Sequence, residues 1–244
     1  GEYSVLSVDA PDVPPTELRA AVRWQVKDLI DYHIDDAVID VFDAPASGAS
    51  GQQDKLYVVA SKTSVVRSHV DQLQDAEVNL ETIDIPELVL RNIIARLPEN
   101  EAGVAMVYLT RERGLVVVAR QSTLYFARTL DMGSEYLSQG VSGGEGELSL
   151  EGNAAFDRLV LEVQRSLDYY DRYFSQPAVA GLVLAPSQMP IPGLAEYLNT
   201  ALGISARHLD LSEIVDCDTS LSEVQQAHCF AAVGAALRQE QTSL

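Results

Sequence analysis

The stretch VAGLVLAPSQMPIPGLAEYLNTALG, residues Val179 to Gly203, bears most directly on chemistry. A short apolar strand, Val179 to Leu184, runs into a turn; a proline then opens a helix, and a glycine closes it. Where a strand meets a helix in an α/β protein, glycines at the turn let backbone N–H groups face a phosphate. Here the turn carries Ala185, Pro186 and Ser187. Proline offers no N–H, and a methyl group blocks the close approach that glycine permits. The junction is either a nucleotide site that has lost its chemistry or a plain strand–helix connection.

Other reactive constellations are missing from the sequence. There is no G-x-S-x-G, no H-E-x-x-H and no cysteine with an obvious histidine partner. The two cysteines, Cys217 and Cys229, make no disulfide framework and fit a reducing compartment. His33, His69, His208 and His228 are scattered, and zinc needs about four ligands at tight spacing, so no metal site is expected. The glycines of ASGASGQQD have no lysine or helix in P-loop position, so that loop reads as a hairpin connection. Adjacent acids such as Asp35 and Asp36 are expected by chance in so acidic a chain. Tyr169, Tyr170 and Tyr173 recur at helical spacing, which suits core and partner contact.

The chain has 244 residues, enough for one large or two ordinary domains, with 47% hydrophobic and 22% charged residues. Its formal charge is −19. That field repels phosphate backbones and anionic lipid, which argues against nucleic acid and direct membrane contact; it suits either solubility alone or a basic partner. No segment approaches the roughly 18 apolar residues of a membrane span. Glu2 and Asp9 stand where a secretory signal would be basic, and Gly1 in place of Met suggests a chain that begins partway along a longer protein.

Periodicity supplies the elements that position these residues. YSVLSVDAP alternates like a strand. After Pro14 and Pro15 comes a helix with Thr16 as a plausible cap and Leu18, Val22, Val26, Leu29 and Ile30 on one stripe. Trp24 lies off that stripe and reads either as a half-buried packing residue or as an interface anchor. Residues 37–45 and 55–61 form two strands, and 62–76 a helix with Val65, Val66, His69, Val70 and Leu73 inward. VNLETIDI predicts a short strand, followed by a helix with Pro86 in its first turn that ends before Pro98. PENEAG is the best domain boundary; a three-stranded meander from Val104 follows it. Residues 138–153 read as an exposed connector, and the next helix has Phe156, Leu159, Val163 and Leu167 in register. A strand in SARHLDLS precedes a last helix, whose Ala231, Ala232, Gly234, Ala235 and Ala236 suit close packing on a sheet.

The order of elements and five segments together resemble the PilM-like type IV pilus assembly family. The segments are ELRAAVRWQVKDLIDYHIDDAVIDVFD, VNLETIDIPELVLRN, LYFARTLDMG, LVLEVQRSLDYYDRYFS and AAVGAALR. Its MSHA-pilus branch, the MshI-like proteins, is the closest fit, and the resemblance runs from Tyr3 to about Gln239. It implies an α/β (α+β) fold of the actin-like, ribonuclease-H-like ATPase class, FtsA-like, with an inserted subdomain and an incomplete first domain. Residues 1–15 would be a remnant strand of that first domain, 16–79 the inserted α+β subdomain, 80–100 the return to the first domain, and 101–244 the second domain.

The resemblance also implies a role at the cytoplasmic face of the inner membrane of a Gram-negative bacterium. There the chain would bind the cytoplasmic tail of a PilN-like, or MshJ-like, inner-membrane protein. Other pilus assembly proteins and a second copy of the chain are further implied partners; contact with the membrane would run only through partners. Nucleotide-binding relatives carry an acidic residue and a glycine where this sequence has Tyr108, Leu109 and Thr110, and a glycine pair where it has Ala185 and Pro186. With Ser187 these positions mark a degenerate nucleotide site. The expectation is a pseudo-ATPase: no catalysis, and no ATP or magnesium. Arg111 and Arg113 are the charges in that turn that could meet a phosphate. Trp24 and Tyr32 are the expected partner-binding residues. The alternatives are an ATP-binding actin-like ATPase of pilus assembly, which needs a magnesium-holding carboxylate, and a GspL-like cytoplasmic domain of type II secretion.

Overall fold

The computed structural model describes residues 2–48, 54–139 and 150–239. The chain divides into two compact units, Gly1–Ile83 and Asp84–Leu244.

The first unit is a three-stranded antiparallel sheet with two helices. Its elements are β1 (Tyr3–Asp9), α1 (Pro15–Val26), β2 (Ala37–Asp43), β3 (Lys55–Lys62) and α2 (Thr63–Asp75), with strand order β1-β3-β2. Alternation along β3 sends Leu56 and Val58 to one face, where they meet Val8 of β1, Val41 of β2, and Val22 and Val26 of α1. Each such valine or leucine, fully removed from water, contributes about 1.5–3 kcal/mol, so this cluster is what holds α1 to the sheet. Pro15 stands at the start of α1, where its missing N–H costs nothing. The helix ends at Val26, a turn sooner than its apolar stripe suggested; Leu29, expected inward, is 56% exposed because the chain has left the helix by then. From the last turn of α1, Arg23 donates to the carbonyls of Ile34 at 2.6 Å and Ala37 at 3.3 Å, tying the connection to β2.

On α2 the expected stripe is only half-buried, and His69 points out instead of in, 3.6 Å from the Glu2 carboxylate. Glu77 takes the left-handed conformation, φ 56°, that ends the helix, with Val78 N–H returning to the Leu73 carbonyl. The short strand expected in VNLETIDI does not form. Val78 and Ile83 are exposed, and the alternation there serves no sheet edge. The hairpin residues 49–53 and most of the 138–153 connector lie outside the described residues.

The second unit begins with α3 (Pro86–Ile94) and the meander β4 (Val104–Leu109), β5 (Gly114–Arg120) and β6 (Thr123–Leu130). It continues through α4 (Ser134–Ser138), α5 (Leu150–Phe174), β7 (Gly181–Leu184), α6 (Leu194–Leu202), β8 (Ala206–His208) and α7 (Glu223–Ala236). The sheet order is β6-β5-β4-β7-β8; the meander is antiparallel, while β7 joins β4 and β8 joins β7 in parallel. On one face Ala105, Val107, Leu109, Val116, Val118, Leu182 and Leu184 pack against Phe156, Leu159 and Val163 of α5 and Leu194 and Leu198 of α6. Helix α3 lies on the sheet as well and pairs with α7. Three expectations need correcting here. The fourth helix, α4, has no counterpart in the sequence reading. Helix α6 starts at Leu194 behind the left-handed Gly193 (φ 77°) and not at a proline, although Gly203 (φ 67°) closes it as expected. And α7 packs its glycine against a helix: Gly234 abuts Val89 and Ile93 of α3, while Ala231, Ala232, Ala235 and Ala236 stay exposed.

Strand β1 pairs with β3 along its whole length, so residues 3–9 share a sheet with the helix–strand–strand–helix segment. Helix α3 packs within the second unit. Cys217 and Cys229 are free and exposed. Among the described residues no helix is long and apolar enough to cross a membrane.

Candidate functional site

Parallel pairing of β4 and β7 sets the ends of both strands, Leu109 and Leu184, at the same edge of the sheet. The two turns of interest leave from there. Along β4 the residues alternate faces. Leu109 points into the core under α5 and α6. Tyr108 points the other way and stacks on Phe230 of α7, ring centroids 5.3 Å apart at 24°. Burial pushes the Tyr108 hydroxyl pKa up. At this position, where the resemblance expects a carboxylate in nucleotide-binding relatives, the side chain makes an apolar stack.

The turn that follows closes on itself. Thr110 N–H donates to the Arg113 carbonyl at 2.8 Å, and Arg113 N–H donates to Thr110 Oγ1 at 3.1 Å. The turn is also clamped from outside by the start of α4. Ser134 N–H donates to the Thr110 carbonyl at 2.9 Å and Glu135 N–H to the Arg111 carbonyl at 3.0 Å. Arg111 Nε and Nη2 donate to the two oxygens of Glu135 at 3.1 and 3.2 Å. Gly133 makes this approach possible, since a Cβ there would lie 2.4 Å from the Arg111 carbonyl oxygen. Arg111, one of the two charges that could have met a phosphate, is therefore held by Glu135.

The second turn is similarly occupied. Ala185 N–H donates to the Val107 carbonyl at 2.9 Å, extending the parallel ladder by one residue. Ser187 is buried; its Oγ accepts from Met189 N–H at 3.2 Å and donates to the Met189 carbonyl at 3.0 Å. The structure brings Leu109, Ala185 and Ser187 together around one cavity, with Leu184, His208 and Glu223 also on its wall. Its volume is about 10 Å³, room for one water at most. Among the described residues no group of three or more His, Cys, Asp and Glu side chains is placed to hold a metal ion.

In the first unit the expected partner residues are Trp24 on α1 and Tyr32 in the connection that Arg23 fastens. Trp24 is 72% exposed, which overturns the half-buried packing reading. Lys27 Nζ sits 4.9 Å from its ring centre. Tyr32 is half-buried under Lys62, whose Nζ is 5.2 Å from the ring centre. Its hydroxyl is buried and makes no hydrogen bond among the described residues; burial and the neighbouring Asp31 push its pKa up.

Sequence reasoning missed the polar residues that brace the second unit. Arg207 donates to both oxygens of Glu99 at 2.8 and 3.2 Å and to Glu213 at 2.9 Å. Buried Asn92 donates to the Gly234 carbonyl. The Arg207–Glu99 and Asn92–Gly234 contacts join residues more than one hundred positions apart, and no local pattern announces them.

A family model for the type IV pilus assembly protein PilM matches residues 8–144, more than half of the chain. No curated protein matches it. Among solved structures, the PilM–PilN type IV pilus biogenesis complex is similar at a TM-score of 0.73 and 21% identity, over 97% of this chain and 76% of that one. Two weaker likenesses are the cytoplasmic domain of EpsL, an inner-membrane component of the type II secretion system of Vibrio cholerae, and the ethanolamine utilization protein EutJ from Carboxydothermus hydrogenoformans. The first has a TM-score of 0.44 and 14% identity over 95% and 71% of the two chains; the second has 0.46 and 13% over 89% and 72%. The mixed α/β, actin-like fold expected from the resemblance is the fold found. With its fold and the greater part of its sequence matched, this chain belongs to the family of the type IV pilus assembly protein PilM.

Proposed function

We propose that this PilM-family chain works by binding and not by turnover. It is a cytoplasmic, non-catalytic component of the assembly platform of a type IV pilus of the MSHA type, held at the inner membrane through the cytoplasmic tail of a PilN-like partner. In this reading residues 16–79 are the family's inserted subdomain, 80–100 the return to its first domain and 101–244 its second domain. The observation that carries the reading is Trp24, 72% exposed on a helix whose inner face is already sealed by Val22 and Val26. A tryptophan left in water is costly, and buried tryptophans dominate protein interfaces. Asp28, Asp31, Asp35 and Asp36 follow it, all exposed, so a tail carrying basic residues is the complementary partner. The non-catalytic half of the proposal is supported by the two occupied turns and by Tyr108 in place of a carboxylate.

The test pairs two measurements on Trp24→Ala: its melting, and its affinity for a synthetic PilN-like tail. An unchanged melt with affinity lowered about thirtyfold supports the site, since truncating a hot-spot tryptophan costs about 2 kcal/mol or more. Unchanged affinity removes Trp24 from it.

A further inference from the structure

The register between β5 and β6 slips by one residue: Val118 faces Phe126, but Ala119 faces Leu124. Tyr125 is the extra residue of a bulge, and bulges re-aim side chains. Here two successive aromatics come onto the α5 side of the sheet. Tyr125 meets Tyr170 and Phe174 edge-on, at 5.4 and 5.1 Å, and is half-buried against these two buried rings. Phe126 packs on Tyr169 at 4.9 Å, and Tyr169 lies parallel to Tyr173, 5.2 Å away at 8°. This outer row is on the surface, with Tyr169 41% exposed. Arg128 continues it, its guanidinium 5.4 Å from the Phe126 ring. Arg128 and Arg165 both pair with one carboxylate, Glu162, at 3.6 and 2.9 Å.

We propose that this aromatic–arginine row, together with the outer edge of β6, is a docking site for an extended, carboxylate-bearing segment of a partner protein. Three observations support it. Strand β6 is the end strand of its sheet, and among the described residues no strand lies beyond it. The run Phe126–Leu130 beyond the bulge has regular pairing and no proline, so its free edge can accept another strand. Two arginines around one glutamate leave a surplus cation in a chain of charge −19. Tyrosine and arginine are also among the residue types that dominate interface energies, and the rings of buried Tyr170 and Phe174 hold the row in place beforehand. An added strand sets alternate side chains beside Phe126 and Arg128, which selects an apolar residue followed two positions later by Asp or Glu. A second copy of this chain fits less well. Two chains of −19 repel, and a second β6 brings another arginine where a carboxylate is wanted.

The probe is a labelled eight-residue peptide alternating threonine with leucine and aspartate in turn, compared with its lysine counterpart by fluorescence anisotropy on the whole chain. The aspartate peptide is expected to bind and the lysine peptide not. Tyr169→Ala is expected to weaken binding about tenfold or more, with melting unchanged. Arg165→Glu, at an exposed position, is expected to reverse the peptide preference and keeps the test valid should Tyr169→Ala unfold. Amide exchange in Phe126–Leu130 is expected to slow on binding. Equal affinity for both peptides, or an Arg165→Glu protein with unchanged preference, overturns the proposal. So does a concentration-dependent dimer abolished by Tyr169→Ala, which would make the occupant a second copy.

Discussion

The side-chain amide of Asn92 donates to the backbone carbonyl of Gly234 at 3.0 Å, with both residues buried where α3 crosses α7. Gly234 lies near the end of α7, where a helix's carbonyls run short of donors of its own. The same crossing leaves no space for a side chain, since a Cβ at Gly234 would lie 2.6 Å from Val89 Cγ1 and 2.7 Å from the Val89 carbonyl oxygen. A methyl group can rotate away, but a backbone oxygen can not without moving α3. Gly234→Ala is therefore expected to destabilise the second unit by about 1–3 kcal/mol, despite alanine's better helix propensity. Asn92→Ala should cost a similar amount by leaving a buried carbonyl with one donor fewer. Urea unfolding of each variant measures both; a stabilised Gly234→Ala protein would show that the two helices are not in close contact.

Glu99 supplies a pH dependence with a definite sign. The Arg207 hydrogen bonds hold its carboxyl below the usual glutamate range, against the opposing effect of partial burial. A carboxylate with a lowered folded pKa stabilises fully above its unfolded value and loses that contribution as pH falls through the folded one. Wild type should thus lose stability from about pH 4.3 downward more steeply than Glu99→Gln, which lacks this titration. Both should behave alike in their slope at neutral pH. Melting curves across pH 3–7 read the difference, and parallel curves would refute it.

Gly133→Ala is expected to disturb the turn after β4 selectively. The added methyl would meet the Arg111 carbonyl oxygen at 2.4 Å and push the turn off α4, breaking the Ser134 and Glu135 backbone bonds. About 1–3 kcal/mol should be lost, as for other overpacked sites. An unchanged denaturation midpoint would mean that the turn and α4 are not clamped.

ATP with magnesium is expected not to bind. Calorimetric titration checks this, and micromolar, magnesium-dependent binding would sink the non-catalytic proposal. The geometry behind the expectation is the Tyr108–Phe230 stack, together with the N–H groups of Thr110, Arg113 and Ala185, which already donate within the protein.

Much of the fold was legible because its elements are locally amphipathic. The alternation along residues 55–62 and the stripe Phe156, Leu159, Val163 are the burial pattern itself, and the apolar runs in 3–9 and 37–43 mark the two strands beside β3. The failures came where pattern and burial part. Residues 78–85 alternate without a strand to pair with. His69 sits in an apolar stripe yet faces water, because α2 is only half covered. Gly234 was recognised as a small residue, but only the crossing partner says whether small means close to a sheet or close to a helix. At the two turns after β4 and β7, residue identities showed which groups expected from the resemblance this chain lacks. They could not show that Glu135 occupies Arg111 or that Phe230 covers Tyr108, since both partners arrive from distant segments.

The sheet of the second unit joins two kinds of neighbour, and that bears on the order in which it can assemble. The β4–β5–β6 meander closes through tight turns, so its pairings carry little loop-closure cost and low contact order. Strand β7 can join β4 only after the chain has passed through the whole of α5, and β8 only after β7. During refolding the meander's amides should therefore become protected from hydrogen exchange first, and those of β7 and β8 later. During synthesis, β4 waits with one edge open until the ribosome has released its parallel partner.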